Sequence, residues 1–193
     1  MKLSKGIATL SVGKDFIGLK RAVGLLFLTV TVAGCSTVAH DYSWAPYAIN
    51  PVLIASDVSA LSGQTISITT EGNDGERVMI GELSLNQYFG SSQQLATANS
   101  LQLSDELKRL DVNVSGDGSK TLNIQVSHPA TEQGMWVVRA HLRITIEAGN
   151  GYVLEKPMSN STPGTVPRAY NGAVSLVVVE ILNDPQIVAY LGS

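Results

Sequence analysis

The stretch VVRAHLRITIEA, residues 137–148, decides the fold class. From Val138 to Ala148 every even position is apolar, and the odd positions from Arg139 to Glu147 are polar or charged. A period of two places the two sets of side chains on opposite sides of a β-strand. The stretch therefore predicts a long strand with one face in the core and one in water, which is typical of antiparallel sheets.

The residues after this strand predict a β-hairpin. Gly149-Asn150-Gly151 has the composition of a tight hairpin turn. It leads into Tyr152-Val153-Leu154-Glu155-Lys156, which predicts the partner strand. Prolines follow at positions 157, 163 and 167. Because proline cannot donate a hydrogen bond within a sheet, we expect the partner strand to end at the first of them.

Apolar residues at helical spacing predict two main helices. They recur from Ala96 to Leu110, after a possible cap at Ser91-Ser92, and again from Tyr170 to Leu182. The β-branched run Val177-Val178-Val179 would also fit a strand, although the length and spacing of the segment favour a helix. A short last helix, Pro185–Leu191, is predicted with Asp184 as its cap.

Further strands are predicted before the long one, among them the short segment 112–114. Thr65–Thr69 and the segment 121–127 both alternate apolar and polar residues. After Thr69 a turn at 71–75 leads into 77–81, which we expect to return along the same sheet as a hairpin or an irregular loop. Residues 64–193 are thus predicted to form one α+β domain. Its antiparallel β-sheet has about four strands, with two main helices packed on one face.

The start of the chain predicts a signal peptide over residues 1–34. Five basic residues precede the apolar core AVGLLFLTVT, residues 22–31, and Val32-Ala33-Gly34-Cys35 follows directly. That order is typical of a lipobox, so we expect cleavage before Cys35 and lipidation of its thiol, as in bacterial lipoproteins. The alternative is a buried cysteine in an ordinary secretion signal. The apolar core is far shorter than the roughly 20 residues that span a bilayer.

Residues 35–63 are predicted to be a lipidated tether without regular structure. Pro46 and Pro51 argue against helix or strand there. Tyr42, Trp44 and Tyr47 are unusual in a linker, so they either pack on the domain or rest at the lipid headgroups or on a partner. Residue 36, which follows the lipobox cysteine, is Ser. An Asp at this position would resemble the inner-membrane retention signal of enteric lipoproteins. Ser therefore favours the periplasmic face of the outer membrane.

Charge and cysteine count exclude several classes of function. The chain has 13 Lys and Arg against 16 Asp and Glu; removing the leader leaves eight basic and 15 acidic residues, a net charge of −7. Such a domain repels nucleic acid, and it repels anionic lipid headgroups too, so membrane attachment must come from the acyl chains on Cys35. One cysteine excludes a disulfide framework and a zinc site built on several thiolates.

Catalytic motifs are missing from the mature sequence, which contains no Gly-x-Ser-x-Gly, Ser-x-x-Lys or His-Glu-x-x-His pattern. We therefore predict a protein that is not an enzyme and that uses no cofactor and no metal. Its expected role is an accessory, assembly or adaptor subunit of an envelope complex, with a protein partner or self-association. The alternative is a carrier for an envelope lipid or glycan, which would need a concave apolar pocket.

Three side chains on the wet face of the long strand are the first candidate contact site. Arg139, His141 and Arg143 point the same way in an acidic protein, so they could bind an anionic partner or the acidic face of a second copy. We call them the basic stripe. The alternative is that they form ion pairs with Glu155 or Glu147, each of little energetic value.

A family resemblance adds a second candidate. The lipobox at Cys35, the Asp-x-x-Arg element of Asp74 and Arg77, the helix end LKRL at 107–110 and the ending LNDPQIVAYL at 182–191 resemble the YajG-like outer-membrane lipoproteins. The resemblance implies an α+β lipoprotein of the outer membrane, and that family has no established activity to carry over. Asp74 and Arg77 are either a contact site or a local salt bridge.

Overall fold

Eight strands form two separate sheets in residues 36–54 and 57–193, the part of the chain that the computed structural model describes. The larger sheet has the order β5-β2-β6-β7-β8 and the smaller one β1-β4-β3. The strands are β1 (Val38–Asp41), β2 (Thr65–Thr69), β3 (Val78–Leu83), β4 (Asn86–Gly90), β5 (Asn113–Val114), β6 (Lys120–Gln133), β7 (Val138–Ala148) and β8 (Val153–Thr162). The leader and Cys35 lie outside the described residues.

The described part of the chain also contains three α-helices, α1 (Ser92–Arg109), α2 (Val166–Asn183) and α3 (Pro185–Leu191), and two 3₁₀ helices, Pro51–Leu53 and Ser59–Leu61. α1 packs on β6, and α2 packs on β7 and β8, so the two main helices cover one face of the larger sheet as predicted. Val177 and Val178 are fully buried within α2. Burial against the sheet outweighs the strand preference of the β-branched run, and the helix prediction is confirmed.

The α+β class is confirmed, but the expectation of a purely antiparallel sheet of about four strands is wrong. β2 runs parallel to both β5 and β6. Between β2 and β6 the chain builds β3, β4, α1 and β5. A crossover of that length containing a helix is what parallel pairing requires. The segment after the turn at 71–75 does not return along β2; it forms β3 in the smaller sheet, antiparallel to β4.

The alternation of β7 is confirmed by burial. All six even residues from Val138 to Ala148 are buried, and the odd residues between them are exposed or half-buried. Leu107 of α1 and Val174 of α2 are fully buried in the same core. One face of the larger sheet therefore holds the core, and the other, which we call the exposed face, meets water.

The helix caps also agree with the sequence. Ser91 Oγ accepts a hydrogen bond from Gln94 N at 3.1 Å, and Gln94 Oε1 accepts one from Ser91 N at 3.0 Å, which makes a reciprocal capping box for α1. Asp184 Oδ1 accepts hydrogen bonds from the backbone N–H groups of Gln186 and Ile187, both at 2.9 Å, at the start of α3.

β6 and β8 both extend beyond their predicted ends. β6 passes a register shift between Ser127 and Ala130, where His128 adopts a positive φ of 52°, and continues to Gln133. β8 passes through Pro157 and ends at Thr162. β8 is the edge strand of its sheet, so a residue without an N–H group is tolerated there.

The segment expected to be an irregular tether packs on the domain from Val38 onward. Val38–Asp41 form β1, parallel to β4, so the expectation of no regular structure is wrong there. β1 ends before Pro46, and a 3₁₀ helix, Pro51–Leu53, begins at the second proline, because proline is tolerated in the first turn of a helix. Tyr42 is 6% exposed, its ring stands edge-on to Tyr170 with centroids 6.0 Å apart, and its hydroxyl donates to Asn171 Oδ1 at 2.8 Å. Of the two roles open to the aromatic residues, Tyr42 has that of packing on the domain.

Candidate functional site

The basic stripe is assembled on the exposed face, but each of its members faces a carboxylate. Arg139 Nη1 lies 3.1 Å from Glu132 Oε2, and its Nε donates to Ser161 Oγ at 2.9 Å. His141 Nε2 lies 3.5 Å from the same Glu132 oxygen. The face therefore presents paired charges of both signs rather than a positive surface.

Arg143, the third member of the basic stripe, also pairs with a carboxylate. Its Nη1 donates to Glu155 Oε1 of β8 at 2.8 Å, which is one of the two partners expected from the sequence. Glu147 is not a partner of the stripe among the ion pairs of the described residues. Exposed pairs of this kind stabilise a fold by about 0.2–1 kcal/mol each, so the pairs shape the surface more than they hold the domain together.

Glu132 is a site residue that sequence reasoning missed. The predicted strand ended at 127, before Pro129, whereas the observed β6 continues past the register shift and sets Glu132 directly opposite Arg139. The feature that the sequence pattern does not reveal is the β-bulge. A bulge leaves one residue unpaired, so that the strand can continue past a proline. A strand continuing to Gln133 would have placed this carboxylate beside the stripe.

An open depression of about 670 Å³ lies beside the stripe on the exposed face. It is bounded by β7 and β8 and by the bulge of β6, where His128 Nδ1 lies 3.0 Å from Ser127 Oγ. Its lining mixes polar side chains with apolar ones: His128, His141, Arg143, Glu155 and Ser159 with Leu142, Pro157 and Met158. The shape suits a protruding side chain of a partner better than a small molecule that must be enclosed.

Asp74 and Arg77 are not paired with each other. Asp74 Oδ1 accepts a hydrogen bond from Glu76 N at 2.8 Å, and its carbonyl accepts one from Gln93 N at 2.9 Å. Arg77 Nε instead donates to Asp41 Oδ1 at 2.8 Å, and its guanidinium lies 3.9 Å from the centre of the Phe89 ring. The alternative of a local salt bridge between Asp74 and Arg77 is therefore wrong. β1, which was not predicted, brings Asp41 to Arg77 instead.

Metal and membrane criteria give two further findings for the described ranges. Residues 36–54 and 57–193 hold no group of three or more His, Cys, Asp or Glu side chains that could bind a metal.

In the same ranges no single helix is long and apolar enough to cross a membrane. The pair of α2 and α3, bent by 70° at their junction, meets that criterion of length and composition.

Comparison with known proteins gives distant structural likenesses and no match in sequence. No family model matches the chain, and no curated protein does. A protein of the DUF330 family from Xanthomonas campestris is similar, with 14% identity, coverage of 79% of this chain and 96% of its own, and a TM-score of 0.48.

Two lipoproteins are also similar in structure. A candidate lipoprotein from Caulobacter crescentus has 12% identity, coverage of 71% of this chain and 93% of its own, and a TM-score of 0.37. A minor lipoprotein from Acinetobacter baumannii has 14% identity, coverage of 67% and 92%, and a TM-score of 0.33. The likenesses are too low to assign a family, and the YajG-like assignment stays a prediction.

Proposed function

We propose that this chain is a lipoprotein of the bacterial envelope, held at the periplasmic face of the outer membrane by acyl chains on Cys35. In this role it is a non-catalytic accessory or adaptor subunit that presents its exposed face to a protein partner. The observation that carries the proposal is the exposed face itself. It combines the paired charges of the stripe with an open depression on one rigid three-stranded surface.

The edge of the sheet favours docking through the face rather than through strand addition. β8 is the edge strand, and it carries Lys156 and Pro157 at its middle. A charged residue and a proline on an edge strand both oppose pairing with another chain. A partner would therefore lie across the side chains of β7 and β8, where matched charges determine register and orientation.

The chemistry of the face supports a binding role. His141 lies 3.5 Å from Glu132 and Arg143 lies 2.8 Å from Glu155, and all four side chains are between 41% and 64% exposed. A catalytic group needs a neighbour aimed at substrate and a site from which water is excluded. These side chains are aimed at one another in a depression that opens to water, which favours recognition of a surface over chemistry on a small molecule.

A charge exchange tests the proposed face. The double variant Arg139→Glu and Arg143→Glu puts like charges opposite Glu132 and Glu155. Adding Glu132→Arg and Glu155→Arg restores both internal pairs with their polarity reversed. We expect the fourfold variant to melt within about 3 °C of the wild type, because exposed pairs contribute little. It should nevertheless lose the cross-linked species that the wild type forms in intact cells. A fourfold variant that keeps those species would exclude the face as the contact.

A further inference from the structure

The hairpin between β6 and β7 exposes two large apolar side chains at its tip. In the turn 134–137, Met135 is 87% exposed and Trp136 is 82% exposed. Hairpin turns favour Gly, Asn and Asp, as the turn at the other end of β7 shows with Gly149-Asn150-Gly151. Full exposure of a Met-Trp pair has no structural benefit inside this chain, so the pair is best explained by what it contacts outside it.

The turn between β3 and β4 protrudes from the same end of the domain. Val78 and the residues 127–129 line one depression, and farther along both strands Gly81 lies directly against Thr131. β3 and β6 thus advance in the same direction, at about 3.3 Å a residue. Four residues beyond Gly81 is Leu85, and four beyond Thr131 is Met135. Leu85 is itself 51% exposed.

The folded part of the chain also begins at this end. Val38 N donates a hydrogen bond to Leu85 O at 2.8 Å, and Val38 is 48% exposed. Cys35 precedes Val38 by three residues in the sequence. We call this end, with Val38, Leu85, Met135 and Trp136, the anchor end.

The turns and segments at the anchor end contain no charged residue of their own, and the nearest charges, Glu82, the Glu132–Arg139 pair and Arg168, lie just behind them. Residues 36–39 (STVA), 83–86 (LSLN), 134–138 (GMWVV) and 161–165 (STPGT) contain no Asp, Glu, Lys or Arg, and Thr162 is paired with Val138 at the same end. The rest of the mature chain therefore carries its whole net charge of −7. An acidic domain meets a lipid surface most favourably through its uncharged end, because the other surfaces are repelled by phosphate groups.

We propose that the anchor end is a membrane contact, with Met135 and Trp136 inserted among the headgroups of the leaflet that holds the acyl chains of Cys35. The proposal rests on the lipid anchor proposed above. Tryptophan is favoured at that depth because its ring is apolar and its N–H can be hydrated. The acyl chains and the hairpin tip are two attachments, so together they fix the orientation of the domain. The exposed face then extends from the lipid along β7, with Arg139 nearest the leaflet and Arg143 farther from it, and it remains open to a partner.

The fluorescence of Trp136 tests the contact on the mature chain, residues 35–193. Cys35 is the single cysteine of the sequence, so the unacylated thiol can be coupled to a maleimide headgroup lipid in phosphatidylethanolamine and phosphatidylglycerol vesicles. Trp44→Phe leaves Trp136 as the single tryptophan. It also removes a buried indole N–H that has no partner, so the fold should tolerate the change.

We expect coupling to shift Trp136 emission to shorter wavelength, to make it sensitive to brominated acyl chains and to reduce its quenching by aqueous iodide. Two matched controls keep the tethering identical. In Trp136→Phe, Trp44 alone reports, and brominated lipid should leave it unchanged because it is packed on the domain. In the triple variant Trp44→Phe, Trp136→Phe, Asn150→Trp, the tryptophan stands at the opposite hairpin and should remain open to iodide.

Two results would overturn the proposal. Trp136 could keep the emission and iodide quenching of the uncoupled chain, which would show a tip that stays in water. Protection from iodide could instead depend on protein concentration without lipid, which would show that a second copy covers the tip. Coupling to the maleimide lipid does not depend on acylation in the cell. A negative result for the membrane contact of Trp136 is therefore distinct from a negative result for the lipidation of Cys35. The anchor is tested by whether Cys35→Ser releases the protein from membranes in cells.

Discussion

The two ends of β7 carry hairpins of opposite character. At one end the chain turns through Gly149-Asn150-Gly151, which is polar, exposed and typical of a hairpin in water. At the other it turns through residues 134–137 and exposes Met135 and Trp136. Both turns close antiparallel strands of the same sheet over the same core, so core packing cannot explain the difference.

The comparison indicates that the two ends meet different surroundings. The end with Gly149-Asn150-Gly151, which we call the far end, lies beside the turn containing Asp117 and beside Lys120, since Gly149 N donates to Thr121 O at 3.0 Å. The turns at the anchor end contain no charged residue, and Val38 at that end follows the proposed lipid attachment by three residues. A domain held by acyl chains at one end needs no polar turn there, whereas its far end stays in water.

Variants of the shared core should have the largest effect and should not distinguish the two ends. Leu107 is fully buried in α1. We expect Leu107→Ala to lower the free energy of unfolding by about 2–5 kcal/mol, because it opens a cavity between helix and sheet. Thr145→Ala on the exposed face of β7 is the matched control and should change it by less than about 0.5 kcal/mol. Equal midpoints in urea would mean that the two faces of β7 are misassigned.

Two tyrosines compare the packing of the segment after β1 with the packing of the far end. Tyr42→Phe removes the hydroxyl that donates to buried Asn171, so we expect a loss of about 1–3 kcal/mol from an unpaired buried acceptor. Tyr152→Phe removes a bond to Asp184 Oδ2 at the far end, where water replaces the donor, and should cost about 0.5–1.5 kcal/mol. Chemical denaturation of both variants measures the difference. A larger loss in Tyr152→Phe would contradict the packing of the segment after β1.

The dependence of stability on alkaline pH also tests the burial of Tyr42. Burial raises the pKa of Tyr170 to about 12, and it also raises the pKa of Tyr42, from the ordinary value of 10.0. The unfolded chain loses both protons near pH 10, while the folded chain holds them to higher pH. The folded state therefore binds more protons in this window, and the free energy of unfolding falls as pH rises from 10 toward 12.

Melting temperatures measured at stepped pH check this expectation. The two tyrosines contribute no slope below about pH 9, where both states are protonated. Tyr42→Phe should decline less steeply than the wild type above pH 10, because one of the two titrating groups is gone. The same slope in both proteins would show that Tyr42 is not buried in solution.

The smallest effect on stability is expected at the hairpin tips. The double variant Met135→Ser and Trp136→Ser and the single variant Asn150→Ser should each leave the free energy of unfolding within about 0.5 kcal/mol of the wild type, since these side chains are exposed. Urea unfolding measures this. A marked loss in the double variant would assign Met135 and Trp136 a role within the fold and weaken their proposed role at the membrane.

Periodicity predicted the elements that bury a regular face. The alternation of β7 and the helical spacing of α1 and α2 each identified core residues correctly, because one buried face imposes a period on the sequence. β1 has no buried residue and β4 only two, so neither leaves such a period. Both strands form through backbone pairing with each other, which sequence pattern does not record.

The site was predictable only in part for a related reason. The spacing of Arg139, His141 and Arg143 placed them on one face. The position of Glu132, which pairs with Arg139 and His141, depended on a bulge that carries β6 past Pro129. Met135 and Trp136 are visible in the sequence as an apolar pair after Gly134. Their significance required the end of β6, the start of β7 and the position of Val38, none of which the pattern defines.

Photo-cross-linking in intact cells tests the central claim most directly. A photoreactive amino acid is placed at position 136 in one strain and at position 150 in another, at the two tips of the same strand. The account predicts phospholipid adducts from position 136 and none from position 150, with both proteins equally anchored. Lipid adducts from position 150, or protein adducts alone from position 136, would contradict it.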